Sequence, residues 1–198
     1  MVVLGIVGSM RKNRCTNTLV NEVITALKER NPRATEKIIH TADMGIQPCR
    51  VICSSYCIQH PYCCSIDDEM ADVLASMTEA DALVIGTPLY FRAPPAQFQA
   101  FAERLISMFF FQESKGSGNS RSPLTGKPCG LIGVAEYSNP QRILEYLHDF
   151  CTVLGMHPVL LERFPYLGVA AQGEIEMDTT FQPLERAKDL AAAISASL

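Results

Sequence analysis

The stretch VVLGIVGSMRKNRCTNTLV, residues 2–20, decides the fold. Its first six residues, Val2 to Val7, are apolar and mostly β-branched, with no polar alternation. That is the pattern of a strand buried on both faces of a parallel sheet. The run stops at Gly8 and Ser9. From Thr16 onward Leu19, Val20, Val23, Ile24 and Leu27 recur at helical spacing, with Thr16 or Asn17 as the expected N-cap. The opening unit is therefore strand, polar loop, helix.

The same alternation runs down the chain. A weak strand is expected near Lys37 to His40, a helix from about Asp67 to Ala80, and a clear strand at Ala82 to Gly86. A helix near Pro95 to Met108 follows, then a buried strand at Pro128 to Ala135 and a helix from about Asn139 to Leu154. The last strand is expected near Pro158 to Leu161, and Leu184 to Ala196 reads as a closing helix. Strands alternating with helices imply parallel pairing through right-handed crossovers, with helices on both faces of the sheet. The 198 residues suit one substantial domain spanning 1–198, whose core needs no covalent staples. Two segments interrupt the regular pattern, a cysteine-rich insertion at about 43–66 and a polar, turn-rich loop at about 112–124 that reads as flexible.

Composition narrows the function classes. A formal net charge of −4 leaves no basic surplus to neutralise the phosphates of a nucleic acid. No apolar run reaches the roughly 20 residues of a membrane-spanning helix. The first residues also lack the basic region and apolar stretch of a secretory leader. Five of the eight cysteines (Cys49, Cys53, Cys57, Cys63 and Cys64) are clustered rather than spread as a disulfide framework would spread them. These features are those of a soluble cytoplasmic protein in a reducing compartment.

In open parallel sheets ligands lie at the carboxyl ends of the strands, beside the point where strand order reverses. That rule selects three loops, Gly8 to Thr18, Gly86 to Ala93 and Ala135 to Pro140. In the first, free backbone N–H groups and the positive end of a helix dipole favour a phosphate. Ser9, Thr16 and Thr18 can donate from hydroxyls, Asn17 from its amide and Arg11 as a charged fork. A monophosphate is the natural guest, although each residue alone also suits a helix cap or a loop surface. Neither a Walker motif nor a G-x-G-x-x-G fingerprint is present, which argues against an ATPase and a dinucleotide-binding Rossmann domain. In the second loop the adjacent Tyr90 and Phe91, held in a proline-rich frame, can pack against a planar heterocycle; ordinary core packing is the alternative. Gly133, Glu136 and Tyr137 in the third would close the other side of such a ring, Gly133 by allowing close backbone approach.

GSMRKNRCTNT (8–18), GTPLYFRAPPAQFQAFAERL (86–105) and GLIGVAEYS (130–138) resemble the three flavin-binding loops of the flavodoxin-like NAD(P)H-dependent FMN reductase superfamily. The likeness extends to about residue 160. Pro48 and Cys49, then Cys63 followed by Asp67 and Asp68, resemble the iron–sulfur flavoproteins of that superfamily. The resemblance implies a flavodoxin-like three-layer α/β sandwich, with a five-stranded parallel sheet of order 2-1-3-4-5. It also implies bound FMN, a [4Fe–4S] cluster and a homodimer or homotetramer. By the same likeness Ser9, Arg11, Asn17 and Thr18 hold the FMN phosphate and Pro88, Leu89, Tyr90 and Phe91 flank the isoalloxazine. Cys49, Cys53, Cys57 and Cys63 would be the cluster ligands, Cys63 rather than Cys64 because its distance to the aspartate pair matches the family.

The cysteines allow other chemistry. Four thiolates on one long loop can wrap an iron–sulfur cube, and they can also bind zinc, whose usual signature is two short-spaced pairs. Residues 49, 53 and 57 are four apart and can line one helix face, behind Pro48 at a first turn. His60 is a lesser candidate ligand. Cys15, Cys129 and Cys151 read as small buried hydrophobes, Asp67 and Asp68 as helix-start caps, and Met108 to Phe111 as either core or a subunit contact. The function expected is a redox flavoprotein carrying electrons from ferredoxin or NAD(P)H to a small acceptor. The alternatives are a cluster-free NAD(P)H-dependent FMN or quinone reductase and a non-enzymatic electron carrier or redox sensor.

Overall fold

The computed structural model describes residues 1–50, 54–60, 62–108, 122–175 and 178–198. Six strands lie among them: β1 (Val2–Val7), β2 (Thr35–His40), β3 (Ala82–Pro88), β4 (Pro128–Ala135), β5 (His157–Pro158) and β6 (Val169–Gln172). The helices are α1 (Cys15–Arg30), α2 (Ser54–Gln59), α3 (Met70–Glu79), α4 (Ala96–Arg104), α5 (Gln141–Val153) and α6 (Pro183–Ala196). Every strand pair is parallel, and the order is β2-β1-β3-β4-β5 with β6 also on β4. The flavodoxin-like order 2-1-3-4-5 is present, with a sixth strand added.

Alternation along the strands splits the core in two. Leu4, Ile6, Leu83, Ile85 and Leu131 point to one face, where α3, α4 and α5 bring Met70, Val73, Phe98, Phe101, Leu144 and Leu147. Val3, Val7, Ala82, Val84 and Ile132 point to the other, against Leu19, Val23 and Leu27 of α1 and Leu190 and Ile194 of α6. Burial on both sides explains why these strands read as continuous apolar runs. At the end of β1 a side chain on Gly8 would meet Phe98 at 2.5 Å and Thr87 at 2.7 Å. The missing Cβ lets the first loop lie flat on β3 and α4.

Several boundaries differ from the sequence reading. Helix α3 starts at Met70, three residues after the expected Asp67. Helix α1 starts at Cys15, one residue before Thr16, with Arg14 at the cap position. Helix α4 ends at Arg104 instead of continuing unbroken to Met108. The strand expected at Pro158 to Leu161 differs as well. Only His157 and Pro158 pair with β4, opposite Pro128 and Cys129. The chain then leaves the edge and turns, with the Leu161 N–H donating to the Tyr166 carbonyl at 2.8 Å. It returns as β6, opposite Ile132 to Ala135. The fifth position is thus filled by two pieces, and the excursion is held by the buried Arg186, which donates to the carbonyls of Arg163 and Pro165.

Gly168 makes the return possible. Its φ is +149°, and a Cβ there would sit 2.2 Å from the Leu131 carbonyl oxygen. Replacing Gly168 by Ala is expected to lower unfolding stability by at least about 2 kcal/mol in urea titration. A midpoint equal to wild type would mean that β6 is not seated as described.

Candidate functional site

A cavity of about 710 Å³ opens where β1, β3, β4 and β6 end. Its walls are residues 9, 11, 13–16 and 18 from the first loop, 88–91 from the second, 134–138 from the third and 173–175 after β6. The volume falls within the range of small-molecule and cofactor sites.

The first loop is built for an anion. Ser9 is buried, and its hydroxyl accepts the Arg11 N–H at 3.1 Å while lying 3.2 Å from the Arg11 carbonyl. Asn13 turns the chain with φ of +56°. Arg14 makes no side-chain cap bond and the first turn of α1 holds no acidic residue, so its amides remain open to a ligand. Thr16 and Asn17 therefore sit within the first turn and do not cap it. Thr16 and Thr18 line the cavity. Asn17 is not among the lining residues; its carbonyl accepts from the Asn21 amide at 2.7 Å.

The rest of the lining is largely apolar, although Phe91 is fully exposed. Pro88, Leu89, Tyr90 and Phe91 line the cavity together with Val134, Ala135 and Ile175, Pro88 pairing with Val134 and the Leu89 N–H donating to the Val134 carbonyl at 2.8 Å. Polar contacts tie its mouth together: Arg11 Nη2 lies 3.5 Å from Glu136 Oε2. The Tyr90 oxygen chiefly, and Glu136 with it, push the Arg11 guanidinium above its ordinary range against weak opposition from burial. Tyr137 is almost fully exposed, and hydrogen bonding to Glu136 raises its phenol. Gly133 lies elsewhere. A Cβ there would meet Ile143 at 2.7 Å and Leu144 at 3.0 Å, so its bareness seats α5 on β4 and does not admit a ring.

The cavity thus joins an anion cradle to a slot with aromatic and aliphatic sides, which fits a planar heterocycle carrying a phosphate tail. A sequence model described as NADPH-dependent FMN reductase matches residues 1–164. The chain belongs to that family. Within it the chain is similar to an iron–sulfur flavoprotein of Methanocaldococcus jannaschii, 35% identical over 158 residues that cover 79% of this chain and 74% of the relative. An iron–sulfur flavoprotein of Methanosarcina thermophila is 24% identical over 160 residues, covering 79% and 75%. Among solved structures, RosB with a bound 8-demethyl-8-formylriboflavin-5'-phosphate intermediate superposes with a TM-score of 0.75 at 16% identity, over 100% of this chain and 78% of that one. A WrbA-like flavodoxin from Agrobacterium tumefaciens gives 0.60 at 20% identity, over 98% and 94%. These two share the fold.

As a member of the FMN reductase family the chain is an oxidoreductase with an FMN-type site. The ends of its cysteine-rich segment meet Arg104 at the end of α4. Cys49 and Cys64 are half-buried, Cys57 on α2 is buried and Cys63 is exposed; Cys53 lies outside the described residues. So do residues 112–121 of the expected flexible loop and residues 109–111, whereas Met108, Ser122 and Leu124 are buried. Among the described residues no three His, Cys, Asp or Glu side chains gather closely enough to hold a metal ion. His60 stacks on Tyr56 with ring centroids 4.2 Å apart. Cys129 and Cys151 are fully buried, and burial together with Cys129 pushes the Cys151 thiol well up. Among the described residues no helix is long and apolar enough to cross a membrane.

A buried ion pair fixes the ends of the segment. Arg104 Nη1 donates to Asp68 Oδ2 at 2.7 Å and to the Gln47 carbonyl at 2.9 Å. Its Nη2 donates to Asp68 Oδ1 at 2.9 Å and lies 3.4 Å from the Ile66 carbonyl. The Cys64 side chain is a further hydrogen-bonding partner of this guanidinium. Asp68 also accepts the N–H groups of Gln47 and of Met70 at the start of α3. Sequence reading foresaw that capping role but not the arginine 36 residues away. Burial pushes the Asp68 carboxyl up, yet the Arg104 and backbone bonds outweigh it and hold it below the usual carboxylate range.

Because the folded-state value is depressed, the stabilisation is present above the ordinary carboxylate value and is lost as pH falls through the folded-state value. Asp68→Asn is expected to cost about 3 kcal/mol at neutral pH by leaving a buried guanidinium unmatched. In chemical denaturation the gap from wild type should stay level down to about pH 5 and narrow below about pH 4. A gap that widens on acidification would contradict this assignment.

Proposed function

We propose that the protein is an FMN-dependent redox flavoprotein that passes electrons from a reduced donor, NAD(P)H or ferredoxin, to a small acceptor. The observation that carries this reading is the single cavity joining an uncapped helix start to an aromatic-walled slot. Bound FMN supplies the capacity to take electrons in pairs and release them singly. The chain's part is to hold and shape. Arg11, Ser9, Thr16, Thr18 and the open amides of the first turn of α1, that of Asn17 included, hold the phosphate. Pro88, Leu89, Tyr90 and Phe91 flank the ring, with Glu136 and Tyr137 across from them. Val134 and Ile175 restrict water. No side chain of this set is required as a proton donor.

We further propose that Cys49, Cys53, Cys57 and Cys63 assemble a [4Fe–4S] cluster and that the protein works as a homodimer or homotetramer. The names of its relatives and the density of thiols between two pinned ends support the cluster. A second reading, an NAD(P)H-dependent FMN or quinone reductase without a cluster, is favoured by the dispersal of the described thiols and by the contact of Cys64 with Arg104.

Two experiments test these assignments. Arg11→Ala should weaken FMN binding by about 10- to 100-fold, as expected for a lost charge-assisted bond, and leave riboflavin binding within about 2-fold. Flavin fluorescence titration of the apoprotein reads both, and equal losses for the two flavins would remove Arg11 from the phosphate. Anaerobic purification with iron and sulfide analysis should give about four irons per chain, lost in Cys53→Ser. A flavin spectrum without iron leaves the second reading.

A further inference from the structure

One wall of the cavity lies beyond residues 1–164, the span over which the family model matches. Residues 173–175 follow β6 and line the cavity beside the loops that carry the phosphate cradle and the ring slot. Gly173 joins two of those loops. Its N–H donates to the Ala135 carbonyl at 3.0 Å, and its own carbonyl lies 3.5 Å from the Cys15 Sγ. The wall thus bridges the start of α1 and the end of β4, so a ligand reaching from cradle to slot runs along it.

A single carboxylate clasps the turn that carries this wall. Asp178 Oδ2 accepts the Gln172 N–H at 2.7 Å, and Oδ1 accepts the Thr180 and Phe181 N–H groups at 3.1 and 2.9 Å. The Asp178 carbonyl accepts the Gln182 N–H at 3.1 Å, immediately before α6. The turn is therefore fastened to β6 at one end and to α6 at the other, through charge-assisted bonds to backbone amides. From beneath, Ile175 is buried in the apolar cluster that holds Val134, Val169 and Ala171.

Glu174 stands between these anchors, exposed and lining the cavity. Of the two acids on the walls, Glu136 is paired with Arg11, whereas Glu174 has no ion-pair or hydrogen-bond partner among the described residues. A bare carboxylate opposes a phosphate and gives nothing to an apolar ring face. It suits hydroxyl groups, which donate to it in charge-assisted bonds. The sugar-alcohol chain that joins a flavin ring to its phosphate carries such hydroxyls.

We propose that residues 173–175 form a binding subsite for the polyol chain of the flavin, with Glu174 as hydroxyl acceptor and Asp178 as its positioning residue. The inference rests on the flavoprotein reading above and deepens it. Because the subsite acts on the polyol, it serves FMN and riboflavin alike, unlike Arg11.

The test is fluorescence titration of the full chain, freed of flavin, with FMN, riboflavin and lumiflavin, whose ring bears a methyl group in place of the polyol. Glu174→Ala is expected to weaken FMN and riboflavin each about 10-fold and to leave lumiflavin within about 2-fold. Asp178→Ala should weaken FMN and riboflavin at least as much, and adding Glu174→Ala to it should cost less than about 2-fold more, since Asp178 acts through Glu174. A purely structural aspartate would give independent losses. Glu174→Ala that binds FMN and riboflavin as wild type does would overturn the proposal. So would a loss that lumiflavin shares, or one confined to FMN. Wild type that binds none of these flavins would instead refute the flavoprotein reading itself.

Discussion

A guanidinium enclosed by protein needs its charge and most of its donors matched, and the match for Arg104 organises this molecule. Asp68 takes both of its terminal nitrogens, which the carbonyls of Gln47 and Ile66 also meet, while its buried Nε is left without a partner among the described residues. These partners stand at the two ends of the cysteine-rich segment, while Arg104 itself ends the helix that follows the Tyr90 loop. One ion pair therefore sets the position of the thiol segment relative to the wall of the flavin cavity. Desolvation makes such a pair a weak source of net stability, but it leaves few other arrangements open.

The parts of the fold governed by local pattern were legible. The apolar runs of β1, β3 and β4 have no other use than burial between two helical layers, so their reading required only length and composition. What escaped were contacts that cross the sequence. β6 is four residues of Val, Ala, Ala and Gln, with little β-branching to announce it, and it exists because β4 has an open edge and Gly168 can turn the chain onto it. Pro158 ends the preceding piece early for the same reason, since the chain after it folds outward.

The candidate site divides along the same line. Ser9, Arg11, Thr16, Thr18 and Pro88 to Phe91 were readable because each follows directly on a strand end. The wall from Gly173 to Ile175 was not, because it depends on the unread β6. Gly133 misled for an instructive reason. A glycine near a cavity suggests close approach by a ligand, but here the approaching body is α5. Asn17 was placed by its side chain, whereas the early start of α1 leaves its main chain as the group nearer the cradle.

The late arrival of β6 also has a bearing on how the site comes into being. Cys15 lies 3.5 Å from the carbonyl of Gly173, a contact between residues 158 positions apart. The first loop of the chain thus acquires this neighbour only after residue 173 has been made. Contacts of such long sequence separation form late, since the entropy of closing the loop is spent before they repay it. A nascent chain lacking this final stretch would have the cradle but not the enclosure. Enclosure of the cavity is then coupled to the arrival of residues 173–175.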